Sequence, residues 1–292
     1  MSLTGYVTPL NKISMGGEPL VQRLVVETAT NMYPGRLVIK GTDDSDIKVA
    51  DGVSGPIGWL GYEQPGCEPP DNITSLYSQG AEAPVLSGAG NLVYMPSGLA
   101  AKTVATKGDL LISWGAGQVV PGAWIGGRLG VKVPFSKSTS EVSTVTIPAG
   151  AVVRDVLIQS VTNEASGTVD VGTLSSASGD ADGFLAGESL TSAGFVQHNN
   201  FDSTAENNTL GVYLVESDIV GDVASGSYSI PTGYLVPSGG KVLTYTTSNT
   251  TATVTGYIYL ILESPGIAPV GICEKSVSAA SAAADIQVRT LI

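Results

Sequence analysis

Short runs of alternating polarity, cut by Gly and Pro, recur along the chain, and no stretch keeps an apolar stripe at helical spacing for three turns. In residues 36–40, Leu37 and Ile39 alternate with Arg36, Val38 and Lys40, and in residues 46–50 Ile47 and Val49 alternate with Lys48. Residues 154–161 read as a strand covered on both faces. Residues 257–262 set Tyr257, Tyr259 and Ile261 on one face and Ile258, Leu260 and Leu262 on the other. Residues 142–147, 168–174, 210–215 and 242–246 repeat the habit. The one Ala-rich stretch, 278–285, is too short to hold a helix alone in water and reads as a loop or a single turn. The 37 glycines fit such a chain, because Gly supplies the positive φ that tight turns need. The expected fold class is all-β.

Charge narrows the functions. The 292 residues include 14 Lys and Arg against 26 Asp and Glu, a net charge of −12, and no basic run. Binding a nucleic acid requires clustered cations that release counterions, so neither nucleic acid nor an anionic membrane is an expected partner. An acidic surface suits a protein that stays soluble at high copy number. Cys67 and Cys273 belong to no CxxC pair, which excludes a zinc knuckle on ligand count. They form a disulfide only if the fold brings them together; otherwise they behave as small hydrophobes. The N-terminus lacks a basic segment followed by an apolar one, and the strongest apolar run, 257–262, is far short of the roughly 20 residues that span a bilayer. A soluble protein made in the cytoplasm is expected, in which the sequons at Asn72, Asn208 and Asn249 carry no glycan.

Few residues could do chemistry. The single histidine, His198, lies in a polar stretch and has no second His with which to make a zinc-protease motif. No G-x-S-x-G elbow is present. The Gly-rich runs 115–117 and 126–130 lack the Gly-Lys-Ser/Thr ending of a phosphate loop and read as turns. Two carboxylate clusters are candidates for Ca²⁺, a cation that takes six to eight oxygens: Asp43, Asp44 and Asp46, and Asp180 and Asp182 with Glu188 nearby. Neither has EF-hand spacing, and Asp-Gly turn chemistry explains both equally simply. No catalytic residue and no cofactor are expected.

A composition shift near residues 134–140 separates Gly- and Pro-punctuated short strands from longer ones turning roughly every ten residues, a spacing that suits a β-sandwich or jelly roll. The second series stops at Leu262-Glu263-Ser264-Pro265-Gly266. In the first part, the Tyr33-Pro34-Gly35 turn, Gly58-Trp59-Leu60-Gly61-Tyr62-Glu63, Ala83-Pro84-Val85-Leu86-Ser87-Gly88 and Thr106-Lys107-Gly108-Asp109-Leu110-Leu111 stand in an order and spacing that resembles the cement, or head decoration, proteins of tailed bacterial and archaeal viruses. The tail 267–292, a Ser/Ala-rich stretch and then Ile286 and Val288 alternating with Gln287 and Arg289, resembles how the short members of that family finish. The likeness covers residues 23–133 and 267–292, a little under half the chain. Residues 147–196 also look like modules found in phage structural proteins, an addition that a minimal cement protein lacks.

The resemblance implies a discontinuous, small β-barrel-like decoration domain, residues 1–132 with 266–292, interrupted by an inserted antiparallel β-sandwich (jelly-roll-like) domain, residues 133–265. Such an insertion is tolerated where the insert's ends lie close together at a surface loop. The rival arrangement is two sequential domains with the tail as an arm. Residues 1–16 read as an extended arm. The implied function is that of a virion structural protein on the capsid exterior, with the major capsid protein and further copies of itself, a trimer among the arrangements, as partners. Tyr6 and Pro9 on the arm, with Tyr33, Trp59 and Tyr62, are the candidate capsid contacts, because aromatics concentrate at interface hot spots. Core packing accounts for a Trp equally well, and Trp114 and Trp124 join the same comparison. The alternative is a receptor- or glycan-binding virion spike acting through the inserted sandwich. A secreted carbohydrate-active enzyme is a weaker third reading, since a paired-carboxylate cleft is not evident.

Overall fold

The computed structural model describes residues 12–62, 67–162, 167–196, 213–214, 233–248, 254–263 and 268–292. The chain is all-β, with no α-helix among the described residues and therefore no helix long and apolar enough to cross a membrane. It divides into two compact units, one drawn from Met1–Ala100, Ala105–Val120 and Ala268–Ile292, the other from Ala101–Val104 and Pro121–Ile267.

The first unit begins with β1 (Ser14–Gly16) and then a closed barrel of five strands. These are β2 (Leu20–Val26), β3 (Leu37–Lys40), β4 (Asp46–Val49), β5 (Gly58–Leu60) and β6 (Glu82–Ser87), in the order β2-β4-β3-β5-β6. β2 runs parallel to β4 and antiparallel to β6, whose Ser87 to Glu82 pair with Leu20 to Val25 and close the ring, so no strand of the barrel is left with a bare edge. Leu24, Val26, Val38, Ile47, Leu60 and Val85 pack together with Met32 and Tyr77 as one core. Leu37, Ile39 and Trp59 join a second core. β3 and β5 are thus apolar on both faces because both faces are covered. Val38, grouped with Arg36 and Lys40 by simple alternation, is completely buried.

Two turns shape this barrel. In Tyr33-Pro34-Gly35 the Arg36 amide donates to the Tyr33 carbonyl (3.1 Å) and Gly35 takes φ +84°, the pattern of a type II turn with Pro and Gly at its centre. At Asp51-Gly52 the Asp51 carboxylate accepts from the amides of Val53 (2.8 Å) and Ser54 (2.7 Å) and from the Ser54 hydroxyl (2.8 Å). Burial raises the Asp51 pKa, but these hydrogen bonds outweigh it and the carboxyl titrates below its ordinary value. A carboxyl with a depressed folded pKa contributes stability that is present above the unfolded value, about pH 4, and is lost as pH falls through the folded one. Asp51→Ala is therefore expected to cost about 1 kcal/mol at pH 7. In urea titrations the gap from wild type should narrow as the pH falls from 5 to 3, about one unit either side of the unfolded value; a constant gap would contradict it.

The chain continues through β7 (Leu92–Leu99), β8 (Thr103–Ala105), β9 (Leu110–Ser113) and β10 (Val119–Ile125). Gly115–Gly117 forms a 3-10 turn that precedes no helix. Gly126 (φ +56°) and Gly127 (φ +80°) make the two-residue hairpin between β10 and β11 (Arg128–Ser136), where Ile125 pairs with Arg128.

The second unit holds β11, β12 (Val142–Ile147), β13 (Val152–Thr162), β14 (Thr168–Thr173), β15 (Leu185–Ser189), β16 (Gly194–Val196), β17 (Tyr234–Leu235), β18 (Lys241–Ser248) and β19 (Thr255–Glu263). One antiparallel sheet runs β11-β19-β13-β16, with β17 also on β13; the other runs β12-β18-β14-β15. Across the first, Val131, Leu260 and Val156 form one buried row and Val133, Ile258 and Ile158 the next. Phe135 on β11 meets Tyr245 on β18 edge to face (6.0 Å), which ties the two sheets into a sandwich. Because β11 pairs with β19 from Gly130 to Ser136, residues 121–132 go with this unit, whereas the sequence reading put them in the first.

The last strands, β20 (Pro269–Cys273), β21 (Val277–Ala279) and β22 (Ala284–Thr290), return to the first unit. β22 lies antiparallel to β7, pairing Ile286 with Met95 and Val288 with Val93, and β20 pairs with both β22 and β9. The Thr290 hydroxyl accepts from the Asn91 amide (3.0 Å) and donates to the Gly88 carbonyl (2.5 Å). The Ala-rich segment expected to be a loop or one turn contributes β21 and the start of β22.

Candidate functional site

The residues singled out from sequence do not converge on a reactive centre. Among them, Tyr33 and Tyr62 lie at the surface of the first unit. Tyr33, half-buried at the head of the Tyr33-Pro34-Gly35 turn, shares a pocket of about 300 Å³ with Arg36, Pro96 and Ser97. Tyr62 follows β5, donates its hydroxyl to the Asp71 carbonyl (3.2 Å), and lines a second pocket of about 270 Å³ with Lys12, Met15 and Leu86. Trp59 is different. Its relative exposure is 0%, and it packs with Ile13, Leu37, Ala50 and Leu86. It is a core residue and not a surface contact, because the strand that places Leu60 in one core turns Trp59 into the other. Trp114 is buried too, while Trp124 on β10 is 60% exposed and belongs to the second unit. Tyr6, Pro9 and His198 lie outside the described residues, as do residues 1–11 of the expected arm.

The first unit also exposes separate apolar side chains, Leu20 on β2 at 73% together with Val21, Ile57 and Leu76. Such residues are ordinary singly, and they supply the apolar part of a contact surface where a partner covers them.

Neither carboxylate cluster forms a cation cage. The Asp182 amide reaches Asp180 Oδ1 (3.5 Å), and a side-chain hydrogen bond to Asp180, then burial, then the charges of Asp180 and Asp170 push the Asp182 pKa up. Glu188 stands apart, buried on β15 opposite Val169, so the proposed triad of Asp180, Asp182 and Glu188 is not one site. In the other cluster Asp44 pairs with Lys40, and the Asp46 amide bonds the Asp43 carbonyl (3.1 Å), which is turn chemistry. Among the described residues no three His, Cys, Asp or Glu side chains group to hold a metal. Cys67, half-buried, and Cys273, buried in the core, are both free thiols; the Cys273 thiol donates to the Lys275 carbonyl (3.0 Å), and burial pushes its pKa up.

Sequence reasoning missed Arg36. It is only 8% exposed, and the signal that could have found it is a lone cation fixed between Gly35 and the apolar run Leu37-Val38-Ile39. Compared with known proteins, the chain matches no family model and no curated sequence.

Proposed function

We propose that this chain is a virion structural protein that binds the outer surface of a viral capsid and cements its major capsid protein lattice, acting by contact and not by catalysis. One observation carries the reading: most of the sequence that resembles cement proteins, residues 23–100, 105–120 and the β22 tail, falls in a single compact unit built from both ends of the chain, while residues 101–104 and 121–133 go with the other. That unit offers Leu20, Val21, Tyr33 and Tyr62 for contact with the lattice. Each contact can be weak, because a symmetric shell presents many copies and several linked contacts bind far more tightly than one. Its partners on this reading are the major capsid protein and neighbouring copies of itself.

The second unit supports a second reading, a receptor- or glycan-binding spike, because Trp124 presents an aromatic face at 60% exposure. Particles assembled with and without the chain separate the two. Cementing requires the particles lacking it to break at a lower temperature. Unchanged particle strength with lost host attachment would overturn cementing in favour of the spike.

A further inference from the structure

Among the described residues, no anion accompanies the buried guanidinium of Arg36. Its Nε and Nη1 are sealed from solvent and have no hydrogen-bond acceptor among the described residues. An arginine cannot escape by losing its proton, and taking such a charge out of water costs several kcal/mol unless it is paired. Burial lowers the Arg36 pKa and the neighbouring Tyr33 partly offsets this; the Tyr33 ring lies 5.8 Å from the guanidinium carbon. Arg128, Arg154 and Arg289, all far more exposed, each pair with a carboxylate: Asp155, Glu263 and Glu274. In a chain with 26 acidic residues, the most buried of these four arginines is the one without such a partner among the described residues.

The pocket wall holds its own carboxylate in other work. Asp285 Oδ1 accepts from the Ser97 amide (2.8 Å) and Oδ2 from the Tyr94 hydroxyl. These bonds hold Ser97 at φ +48°, a left-handed conformation that non-glycine residues seldom adopt, and so fix the rim. Across the pocket, Thr74 gives both its amide (2.9 Å) and its hydroxyl (2.5 Å) to Asn72 Oδ1. The guanidinium is the strong unsatisfied donor, and the remaining walls, Tyr33, Ile73 and Pro96, are largely apolar.

We propose that this pocket binds a carboxylate carried on a short alkyl group. Because Nε and Nη1 are closed to solvent, the Arg36 head must turn toward the pocket to meet the ligand; its planar guanidinium then matches a carboxylate's two oxygens, and the apolar walls accept the carbons behind them. One negative charge neutralises Arg36, whereas a dianion such as phosphate would add an unpaired charge to a chain already at −12. The carboxylate has two possible sources, a free ion or an Asp or Glu side chain of a second copy. The inference does not depend on the capsid reading.

Thermal unfolding of the full chain, titrated with butyrate at pH 7 and constant ionic strength set with chloride, tests it. A ligand that binds only the folded state raises the midpoint with concentration, here by an expected few degrees at about tenfold excess over half-saturation. Arg36→Met should abolish the rise while melting, in chloride alone, at or above the wild-type temperature, since an apolar side chain of similar length removes the buried charge. If that variant does not fold, Thr74→Tyr, at an exposed rim position, should block the pocket and abolish the rise. No saturable rise, the same rise in these variants, or an equal rise with phosphate would overturn the proposal. Sedimentation distinguishes the sources: oligomers that dissociate in butyrate assign the site to a neighbouring copy's carboxylate, and binding with no change of mass assigns it to the free ion.

Discussion

Trp59→Ala will lower the free energy of unfolding by about 3–5 kcal/mol, the cost of emptying the space of a large aromatic in a packed core. Trp59 has no exposed surface, and the backbone around it cannot collapse easily. The two residues that follow it are pinned, with the Leu60 amide on the Arg36 carbonyl (2.8 Å) and the Gly61 amide on the Pro84 carbonyl (2.7 Å). Trp59→Phe should cost far less, under about 1.5 kcal/mol, because it retains most of the apolar volume. It also removes an indole N–H that is buried with no acceptor among the described residues, which offsets part of the lost contact. Trp124→Ala, on an exposed side chain, should stay within about 0.5 kcal/mol of wild type. Urea unfolding followed by far-UV circular dichroism gives all three. If Trp59→Ala unfolded like wild type while losing its partner, Trp59 would be a contact residue after all. On the present fold, any loss of binding in that variant follows from loss of the barrel.

Much of the fold could be read from local pattern, and what could not has a physical cause. Alternation identifies β4 and β22, because a covered face and a less covered one leave a period-two trace, as in Ile286 and Val288 against Gln287 and Arg289, whereas β3 and β19 are buried on both faces. Paired glycines at Gly126-Gly127 mark a hairpin for the same local reason. Barrel closure is invisible at that range: it depends on Leu20 to Val25 meeting Ser87 to Glu82 some sixty residues later, a matter of register between distant strands. Closure also decides that β3 and β5 are covered twice, and hence that Val38, Trp59 and Arg36 are buried. Aromatic composition therefore pointed to Trp59 as readily as to Tyr33 and Tyr62, though only the tyrosines reach a surface pocket. The Asp180–Glu188 cluster fails for a related reason. Neighbours in sequence separate once β15 takes Glu188 inside. Arg36, whose buried guanidinium has no acceptor at Nε or Nη1 among the described residues, carries no motif at all.

The Tyr33-Pro34-Gly35 turn sets that pocket, and Gly35→Ala is the second substitution with a large expected effect. Gly35 sits at φ +84°, where a side chain costs about 1–2 kcal/mol on its own. A Cβ built there would lie 2.8 Å from the Tyr94 carbonyl oxygen, 2.8 Å from Pro96 Cδ and 3.1 Å from Met95 Cα. Those are backbone and ring atoms of β7, which is held by pairing with β22, so they cannot swing aside as a long side chain would. Overpacking of this kind adds about 1–3 kcal/mol, for an expected total of about 2–5 kcal/mol. Gly80→Ala is the control: it has nearly the same φ, +82°, but open space where its Cβ would go, and should show the conformational cost alone. Equal losses in the two variants would mean that the approach of the turn to β7 contributes nothing. A larger loss for Gly35 makes that approach a structural requirement. Because Pro96 and Ser97 line the wall facing Arg36, the butyrate-dependent rise should then be weaker in whatever fraction of Gly35→Ala still folds.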